Sequence, residues 1–507
     1  MRCAVLDLGS NSYHVLVADL DGRSVAPVLR EREMLHLGRT VARHGEVPED
    51  ARDQAVATVR HLAELARRTG AQQVLAVATA ALREASNGQA VIAALSEAAG
   101  AEVEVLPGLE EARLAYLGVR AAVAVRSEPV LVLDLGGGSL ELAIGVGDRV
   151  VWCASTRLGA SSLSARLTDD PPGPDEVAAL RALVDAELDP LVDVVRAHAP
   201  GTTIAVGGTV RALGRLSAAE RGVWLPATLN QLRMDTSDLA RLEARLLAVD
   251  ESGRRDLPAM KSRRADHVHV AAVILTRVLQ RLGTTTSMLS DWGLREGMLL
   301  DRHAVSSPPG AVELRSDEVE RIRGAFGIHD PHPDHVAALA DRLFVGTREL
   351  HGLTDLDREL LCHAARLHAL GEAVALRRQQ VHGAYLLENA ELRGFSPTET
   401  AILSTLVRFH RSRGIGDRFP AYASLSAADR QRTERLLALL QVADGLDRAH
   451  DQAVTDVAVE LDRGRVTLTL TGDGLHVTPD ELARRTRWFA RAFGVDVEVR
   501  DPAAVPA

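Results

Sequence analysis

Two short stretches of this chain end an apolar run with an aspartate and then continue into a turn of small residues. The first reads AVLDLGSNSYHVLVAD (4–19), and the second reads LVLDLGGGSLELAIG (131–145). Where a turn lacks bulky side chains, several backbone N–H groups can converge on one point and bind phosphate oxygens. The repeat therefore predicts two phosphate-binding turns that together hold consecutive phosphates of one substrate. Taken singly, each turn is also compatible with an ordinary glycine-rich hairpin.

The polar residues around the two turns divide into phosphate donors and metal ligands. The candidate phosphate donors are Ser10, Asn11, Ser12, Gly137, Gly138 and Ser139. Asp7 and Asp134 precede the turns and would repel a phosphate, so we expect them to hold Mg²⁺ or its waters.

The elements that must position these residues alternate between strand and helix in the first half of the chain. Apolar runs on either side of the first turn predict a hairpin, and the segment 49–70 predicts an amphipathic helix closed by a glycine. A helix is also expected over 108–124, and the segment 286–301 is interpreted as a strand that closes this half.

The pattern changes after the segment SSPPGA (306–311), which has the composition of a linker. Residues 317–452 predict successive amphipathic helices. A small α/β tail follows, with a hairpin over 456–472, a helix over 479–494 and a strand over 495–501.

Composition narrows the classes of function. The 69 acidic residues outnumber the 59 basic ones, and a formal charge of −10 argues against indiscriminate nucleic-acid binding. Lys261 is the only lysine, so phosphate contacts must come from arginines, backbone amides, hydroxyls or a metal. Three scattered cysteines indicate a reducing compartment, and no apolar run approaches the length of a membrane span. We expect a cytoplasmic protein without membrane or specific nucleic-acid partners.

Six ordered motifs resemble those of the exopolyphosphatase / guanosine pentaphosphate phosphohydrolase (Ppx/GppA) family, within the actin-like ATPase superfamily. They are AVLDLGSNSYHVLVA, AVATAALREASN, LPGLEEARLAYLGV, VLDLGGGSLELAIG, AVGGTVRAL and DWGLREGMLL. The resemblance implies an α/β fold with two actin-like (ribonuclease H-like) domains, 1–128 and 129–305, flanking a cleft. It also implies an all-helical domain like the histidine–aspartate (HD) phosphohydrolases over 312–452, and a small α/β domain over 453–507.

The same resemblance implies a Mg²⁺-dependent hydrolase that removes the terminal phosphate of inorganic polyphosphate or of guanosine pentaphosphate (pppGpp). Both substrates end in the same chemical group, so the sequence does not choose between them. A homodimer is expected. The alternatives are a non-hydrolytic regulator that binds polyphosphate or an alarmone nucleotide, and a sugar kinase of the same superfamily.

By the resemblance, Glu111 is the catalytic base that activates the attacking water, and Asp134 and Glu141 are metal-associated carboxylates. From the residues alone, Glu110 and Glu111 could equally complement the dipole of the helix that they begin. With the other motifs present, we assign catalysis to Glu111 and the dipole role to Glu110.

Further phosphate contacts are implied on two other segments. Thr79 and Arg83 match the family's second motif, and Arg83 could neutralise charge on the bound phosphates. Gly208 and Thr209 lie in a third amide-rich turn, at the position where this superfamily approaches the distal part of its ligand.

The helical domain resembles a metal-binding fold that has lost one ligand. Matching by segment gives His335, His368 and Asp444, but Ala369 stands where that fold needs an aspartate. We therefore expect no stoichiometric transition metal in this domain.

Two arginine clusters in the helical domain could contact a long polyanion. One consists of Arg377 and Arg378, and the other consists of Arg408, Arg411 and Arg413. A solvated basic helix surface is the alternative interpretation.

Overall fold

The computed structural model describes residues 1–21, 25–125, 128–303, 311–473 and 479–500. The chain divides into two compact units: residues 1–221 with 229–314, and residues 222–228 with 315–507. The predicted linker residues 306–310 lie outside the described residues.

The first sheet is built from an apolar hairpin and the strands that follow it. Its elements, with the helices around it, are β1 (Arg2–Leu8), β2 (Ser12–Leu20), β3 (Val25–Met34), α1 (Leu37–His44), α2 (Glu49–Arg68), β4 (Gln73–Ala78), α3 (Ala80–Glu84), α4 (Gly88–Ala99), β5 (Val103–Val105) and α5 (Gly108–Arg120). The strand order is β3-β2-β1-β4-β5, with β1 antiparallel to β2 and parallel to β4. The predicted hairpin and the predicted helix over 49–70 are confirmed.

The second sheet repeats this topology. Its elements are β6 (Val130–Leu135), β7 (Leu140–Val146), β8 (Arg149–Thr156), α6 (Ala160–Ser164), α7 (Pro174–Ala197), β9 (Thr202–Val206), α8 (Gly208–Glu220), β10 (Arg233–Asp235), α9 (Thr236–Leu247), α10 (Glu251–Arg255), α11 (Val268–Leu282), β11 (Thr286–Leu289) and α12 (Leu294–Arg302). The order β8-β7-β6-β9-β11 matches β3-β2-β1-β4-β5 of the first sheet, and β10 adds an antiparallel edge. This duplication confirms the expected pair of actin-like domains.

The interpretation of residues 286–301 as one strand is wrong. The strand ends at Leu289, and helix α12 begins at Leu294, where Glu296 accepts a hydrogen bond from the backbone N–H of Gly293. Helix α12 packs against α5 so closely that a Cβ atom on Gly297 would lie 1.8 Å from the carbonyl oxygen of Leu114. This packing places the residues that precede α12 beside the helix that carries Glu111.

The second unit is helical and ends in a small sheet, as predicted. Its elements are α13 (Ala311–Ala325), α14 (His332–Gly346), α15 (Arg348–His351), α16 (Asp355–Leu367), α17 (Gln379–Asn389), α18 (Pro397–Phe409), α19 (Pro420–Ala423), α20 (Ala427–Leu446), β12 (Val454–Asp462), β13 (Arg465–Gly472), α21 (Pro479–Phe493) and β14 (Asp496–Arg500). Strand β13 pairs antiparallel with β12 and parallel with β14. Among the described residues, none of the helices combines the length and apolarity that a membrane crossing requires.

Candidate active site

A cavity of about 150 Å³ lies in the first unit, where the carboxyl ends of β1, β6 and β9 meet. Because parallel strands present their carboxyl ends at one edge of a sheet, the turns that follow these strands converge there. The sequence-predicted residues that line the cavity are Asp7, Ser10, Asn11, Ser12, Thr79, Glu111, Asp134, Gly137, Gly138, Ser139, Glu141, Gly208 and Thr209. The structure brings these residues together, and their individual roles stay predictions.

The two glycine-containing turns touch each other across the cavity. A Cβ atom on Gly138 would lie 2.6 Å from the Oγ of Ser10, and one on Gly137 would lie 3.1 Å from the Cβ of Asn11. Both polar atoms of the Asn11 side-chain amide are buried and have no hydrogen-bond partner among the residues that the structure describes. Buried amides are normally paired, so a ligand bound between the two turns would satisfy this one.

Glu111 lies in the first turn of α5 and is 7% exposed. Burial raises the pKa of its carboxyl to about 7, although Arg83 opposes the shift by donating a 2.6 Å hydrogen bond to its Oε1. A carboxylate with this pKa can accept a proton near neutral pH, as a general base must. The neighbouring Glu110 instead pairs with Arg113, which lowers the pKa of Glu110.

Arg83 is the one sequence-predicted site residue that does not line the cavity. Its Nη1 donates to the carbonyl oxygen of Leu106 and to Glu111, each at 2.6 Å. In this structure, Arg83 therefore contacts the candidate base rather than the space that a phosphate would occupy.

Three further carboxylates surround the cavity near Glu111. Burial raises the pKa values of Asp7, Asp134 and Glu141, that of Asp134 to about 6. Repulsion from neighbouring carboxylates adds to the effect: Glu296 acts on Asp7, Asp7 acts on Asp134, and Glu111 and Asp134 act on Glu141. A bound cation would offset this repulsion. In the described part of the chain, the oxygens of the three residues do not all lie within 4.8 Å of one another. A divalent ion bound here would therefore reach at least one of the three carboxylates through a water molecule.

Three arginines that the sequence reasoning did not identify line the same cavity: Arg264, which is buried, and Arg211 and Arg295, which are partly buried. Burial lowers the pKa values of Arg211 and Arg264, the latter to about 10. The positive charge of Arg295 lowers the pKa of Arg211 further, and that of Arg211 lowers the pKa of Arg264. Crowded, partly desolvated cations of this kind are suited to a polyanion. A sequence signal existed, since Arg211 and Arg295 lie inside two of the six motifs.

His14 also lines the cavity and was missed. It pairs with Asp7 across β1 and β2, as Glu141 pairs with Asp134 across β6 and β7. The aligned turns could have revealed this correspondence. Arg295 donates to the Nδ1 of His14 at 2.9 Å, so the Nε2–H of His14 donates to the Oγ of Ser12 at 2.8 Å.

The Thr209 hydroxyl belongs to a short hydrogen-bonded chain behind the third turn. Asp266 accepts from the Nδ1–H of His267 at 2.5 Å, which leaves the Nε2 of His267 to accept from Thr209 at 3.2 Å. Since the hydroxyl hydrogen points to His267, the backbone N–H groups of this turn remain as its candidate phosphate donors.

The segment matching of the helical domain placed the wrong histidine in the second candidate metal site. His335 donates from its Nε2 to the carbonyl oxygen of Val454, at 2.8 Å. His332, one turn earlier, lies instead beside His368 and Asp444. The side chain that enters this cluster depends on how α14 packs, and that packing is not visible in the sequence.

The two predicted arginine clusters differ in the structure. Arg377 and Arg378 are both exposed. The guanidinium carbon of Arg408 lies 6.0 and 5.9 Å from the ring centroids of Phe409 and Phe419. Arg411 lies 3.6 Å from a carboxylate oxygen of Asp444. Contact with a long polyanion stays a prediction for both clusters.

Two family models match the chain. The model described as "Ppx/GppA phosphatase family" covers residues 16–304, and "Ppx/GppA phosphatase, domain III" covers residues 314–482.

Relatives with curated names show the same relationship. The chain is 33% identical to exopolyphosphatase 1 of Mycobacterium tuberculosis over 335 residues, which are 64% of this chain and 95% of that protein. It is 34% identical to exopolyphosphatase 1 of Mycobacterium leprae over 327 residues, again 64% and 95%. Among solved structures, an exopolyphosphatase from Cytophaga hutchinsonii matches with a TM-score of 0.56 and 28% identity, over 60% of this chain and 98% of that one. A Ppx/GppA family member from Aquifex aeolicus matches with a TM-score of 0.51 and 27% identity, over 60% and 97%.

Proposed function

Because the chain belongs to the Ppx/GppA phosphatase family, we propose that it is an exopolyphosphatase that releases the terminal phosphate of inorganic polyphosphate. It is a hydrolase of phosphoanhydride bonds. One observation carries the proposal: a buried glutamate with a pKa of about 7 shares a cavity with two facing turns of small residues and three arginines.

Binding of the chain end uses the donors of the cavity wall. The turns at Ser10 and Gly138 hold the terminal phosphates through backbone N–H groups and hydroxyls. Arg211, Arg264 and Arg295 neutralise charge that the acidic protein would otherwise repel. Bound phosphate also provides the unpaired Asn11 amide with partners.

In the hydrolytic step, Glu111 accepts a proton from the water whose oxygen attacks the terminal phosphorus. A bond forms between this oxygen and phosphorus, and the bridging P–O bond breaks. The shortened chain leaves with the electron pair of the broken bond. Arg83 keeps the Glu111 carboxyl in position through its 2.6 Å hydrogen bond and opposes the rise in its pKa.

The carboxylates of Asp7, Asp134 and Glu141 would hold Mg²⁺, largely through its waters. Their oxygen chemistry and their mutual repulsion support this assignment. When bound, the ion supplies positive charge against the phosphate oxygens.

The finer substrate choice is tested by measuring phosphate release side by side from long-chain polyphosphate and from pppGpp, with Mg²⁺ present. We expect release from polyphosphate. Release from pppGpp as well would extend the activity to the second substrate, which ends in the same phosphoanhydride. Tight binding of either compound without any release would refute hydrolysis and support the non-hydrolytic regulator instead.

A further inference from the structure

The hydroxyl of Thr209 lies beside a histidine and an aspartate that are arranged as a base and its orienting group. Thr209 follows the turn after β9 and lines the phosphate cavity, although it is only 4% exposed. Asp266 and His267 directly precede α11, and the Nε2 of His267 lies 3.2 Å from the Oγ1 of Thr209. A hydroxyl, a base within hydrogen-bond reach and a group that orients the base are the three parts of an activated nucleophile.

The contacts of His267 decide which of its nitrogens carries the hydrogen. The Oδ1 of Asp266 only accepts, so the Nδ1 of His267 donates to it at 2.5 Å, and the Nε2 keeps a bare lone pair. The other oxygen of Asp266 accepts from Arg39 at 2.6 Å, which holds the carboxylate in place. Burial lowers the pKa of His267, although the hydrogen bond to Asp266 opposes the shift, so the ring is neutral at pH 7. The proton of the Thr209 hydroxyl therefore has an acceptor in position.

The hydroxyl of Ser12, in the same cavity, has the opposite relation to its histidine. Arg295 donates to the Nδ1 of His14 at 2.9 Å, so the Nε2 of His14 carries the hydrogen and donates to the Oγ of Ser12 at 2.8 Å. His14 cannot take a proton from Ser12 in this arrangement. Of the two hydroxyls, that of Thr209 alone contacts a histidine that can activate it.

Close packing fixes the position of Thr209. A Cβ atom on Gly207 would lie 2.4 Å from the carbonyl oxygen of Leu135, so the third turn packs directly on the strand that precedes the second turn. A Cβ atom on Gly208 would lie 2.3 Å from the Nη2 of Arg264. The Nη1 of Arg264 lies 3.3 Å from the Oγ1 of Thr209, where its charge would stabilise a phosphoryl group on that oxygen.

We propose that Thr209 accepts the terminal phosphoryl group of polyphosphate bound in the cavity, so that the chain phosphorylates itself. The proposal rests on the proposed function, because the bound substrate is the phosphoryl donor. The Oγ1 of Thr209 attacks the terminal phosphorus, and the Nε2 of His267 takes the hydroxyl proton. An O–P bond forms, the bridging P–O bond breaks, and the shortened chain leaves with the electron pair of the broken bond. The product is a phosphothreonine, and His267 then passes its proton to water.

The test incubates the full-length protein with long-chain polyphosphate and Mg²⁺ and follows its intact mass and its modified peptides by mass spectrometry. We expect a gain of one phosphoryl group per chain, on Thr209 and not on Ser12. Thr209→Val should abolish the gain, and Thr209→Ser, which keeps a hydroxyl, should retain it. Glu111→Gln should lose phosphate release and keep the gain, which separates the transfer from hydrolysis.

Asp266→Asn tests the orienting group while both the nucleophile and the base remain. Without an oriented base, the rate of transfer to Thr209 should fall by about 10²–10⁴-fold. The matched control is Asp185→Asn, because Asp185 pairs with Arg277 and Arg281 of α11 and does not line the cavity. Its rate of transfer should stay within about twofold of wild type.

The outcomes distinguish this proposal from the proposed function. Phosphate release without a gain on Thr209, a gain located on another residue, or an unchanged rate of transfer in folded Asp266→Asn would overturn self-phosphorylation and leave the hydrolase intact. Absence of both polyphosphate binding and phosphate release would refute the proposed function, and the transfer with it. Should the Thr209 variants fail to fold by circular dichroism, the peptide mapping of the wild type and the Asp266→Asn rate decide the matter.

Discussion

Replacing Glu111 by glutamine removes the candidate base and little else. Glu111 is 7% exposed, and its Oε1 accepts a 2.6 Å hydrogen bond from Arg83. A glutamine has nearly the same volume, and its amide oxygen can accept the same bond, so we expect the protein to fold normally. Loss of general-base catalysis costs about 10²–10⁴ in rate. At about 1.4 kcal/mol per factor of ten, this corresponds to a barrier raised by about 3–5 kcal/mol.

The assay for Glu111→Gln is phosphate release from long-chain polyphosphate, with binding measured separately on the same preparation. Binding should be retained or slightly tighter, since one negative charge facing a polyanion is removed. The matched control is Glu110→Gln, because Glu110 is the adjacent residue and is paired with Arg113 at the surface, at 2.7 Å. The pair is partly exposed, and Arg113 keeps a second partner in Asp301 at 2.8 Å, so turnover of Glu110→Gln should stay within about twofold of wild type. Near-normal turnover in Glu111→Gln, or equal losses in both variants, would refute the assignment of the base.

Three further predictions concern other parts of the cavity. The activity should rise with pH through about 7, as the Glu111 carboxyl loses its proton. Arg83→Met should move this rise to higher pH, because the hydrogen bond and charge of Arg83 lower the pKa of Glu111. A pH–rate profile that does not move in this variant would contradict the role of the contact. Gly138→Ala places a Cβ atom 2.6 Å from the Oγ of Ser10 in the facing turn and should lower both kcat/KM and the free energy of unfolding, the latter by about 1–3 kcal/mol. Gly173→Ala is the matched control: its Cβ would have no contact within 4 Å in the described part of the chain, so neither quantity should fall. Arg264→Gln should raise the KM for polyphosphate and make this KM less dependent on salt concentration, because fewer counterions are released on binding. An unchanged salt dependence would exclude contact between the Arg264 guanidinium and the substrate.

Local sequence patterns predicted the two strand–turn units that carry most of the candidate site. The apolar runs before Asp7 and Asp134 form strands, and small residues follow each strand because the two turns meet at van der Waals distance. Such features depend on the nearest neighbours in the chain, and the sequence therefore shows them. The segment 286–301 was misjudged because, over a short span, its apolar residues are compatible with both the strand period of two and the helix period of about 3.6 residues. The helix after Gly293 is stabilised by packing against α5.

The amino-acid sequence by itself determined the repeated strand–turn unit, the carboxylates beside it and the helical character of the second half. Tertiary structure alone decided which distant side chains share a site. Three separate segments of the first unit supply the arginines of the cavity, and only folding brings Arg211, Arg264 and Arg295 together. The rotation of α14 likewise selects His332 over His335. Burial also sets the chemistry of Glu111, since its pKa rises to about 7 only where folding removes water from around the carboxyl.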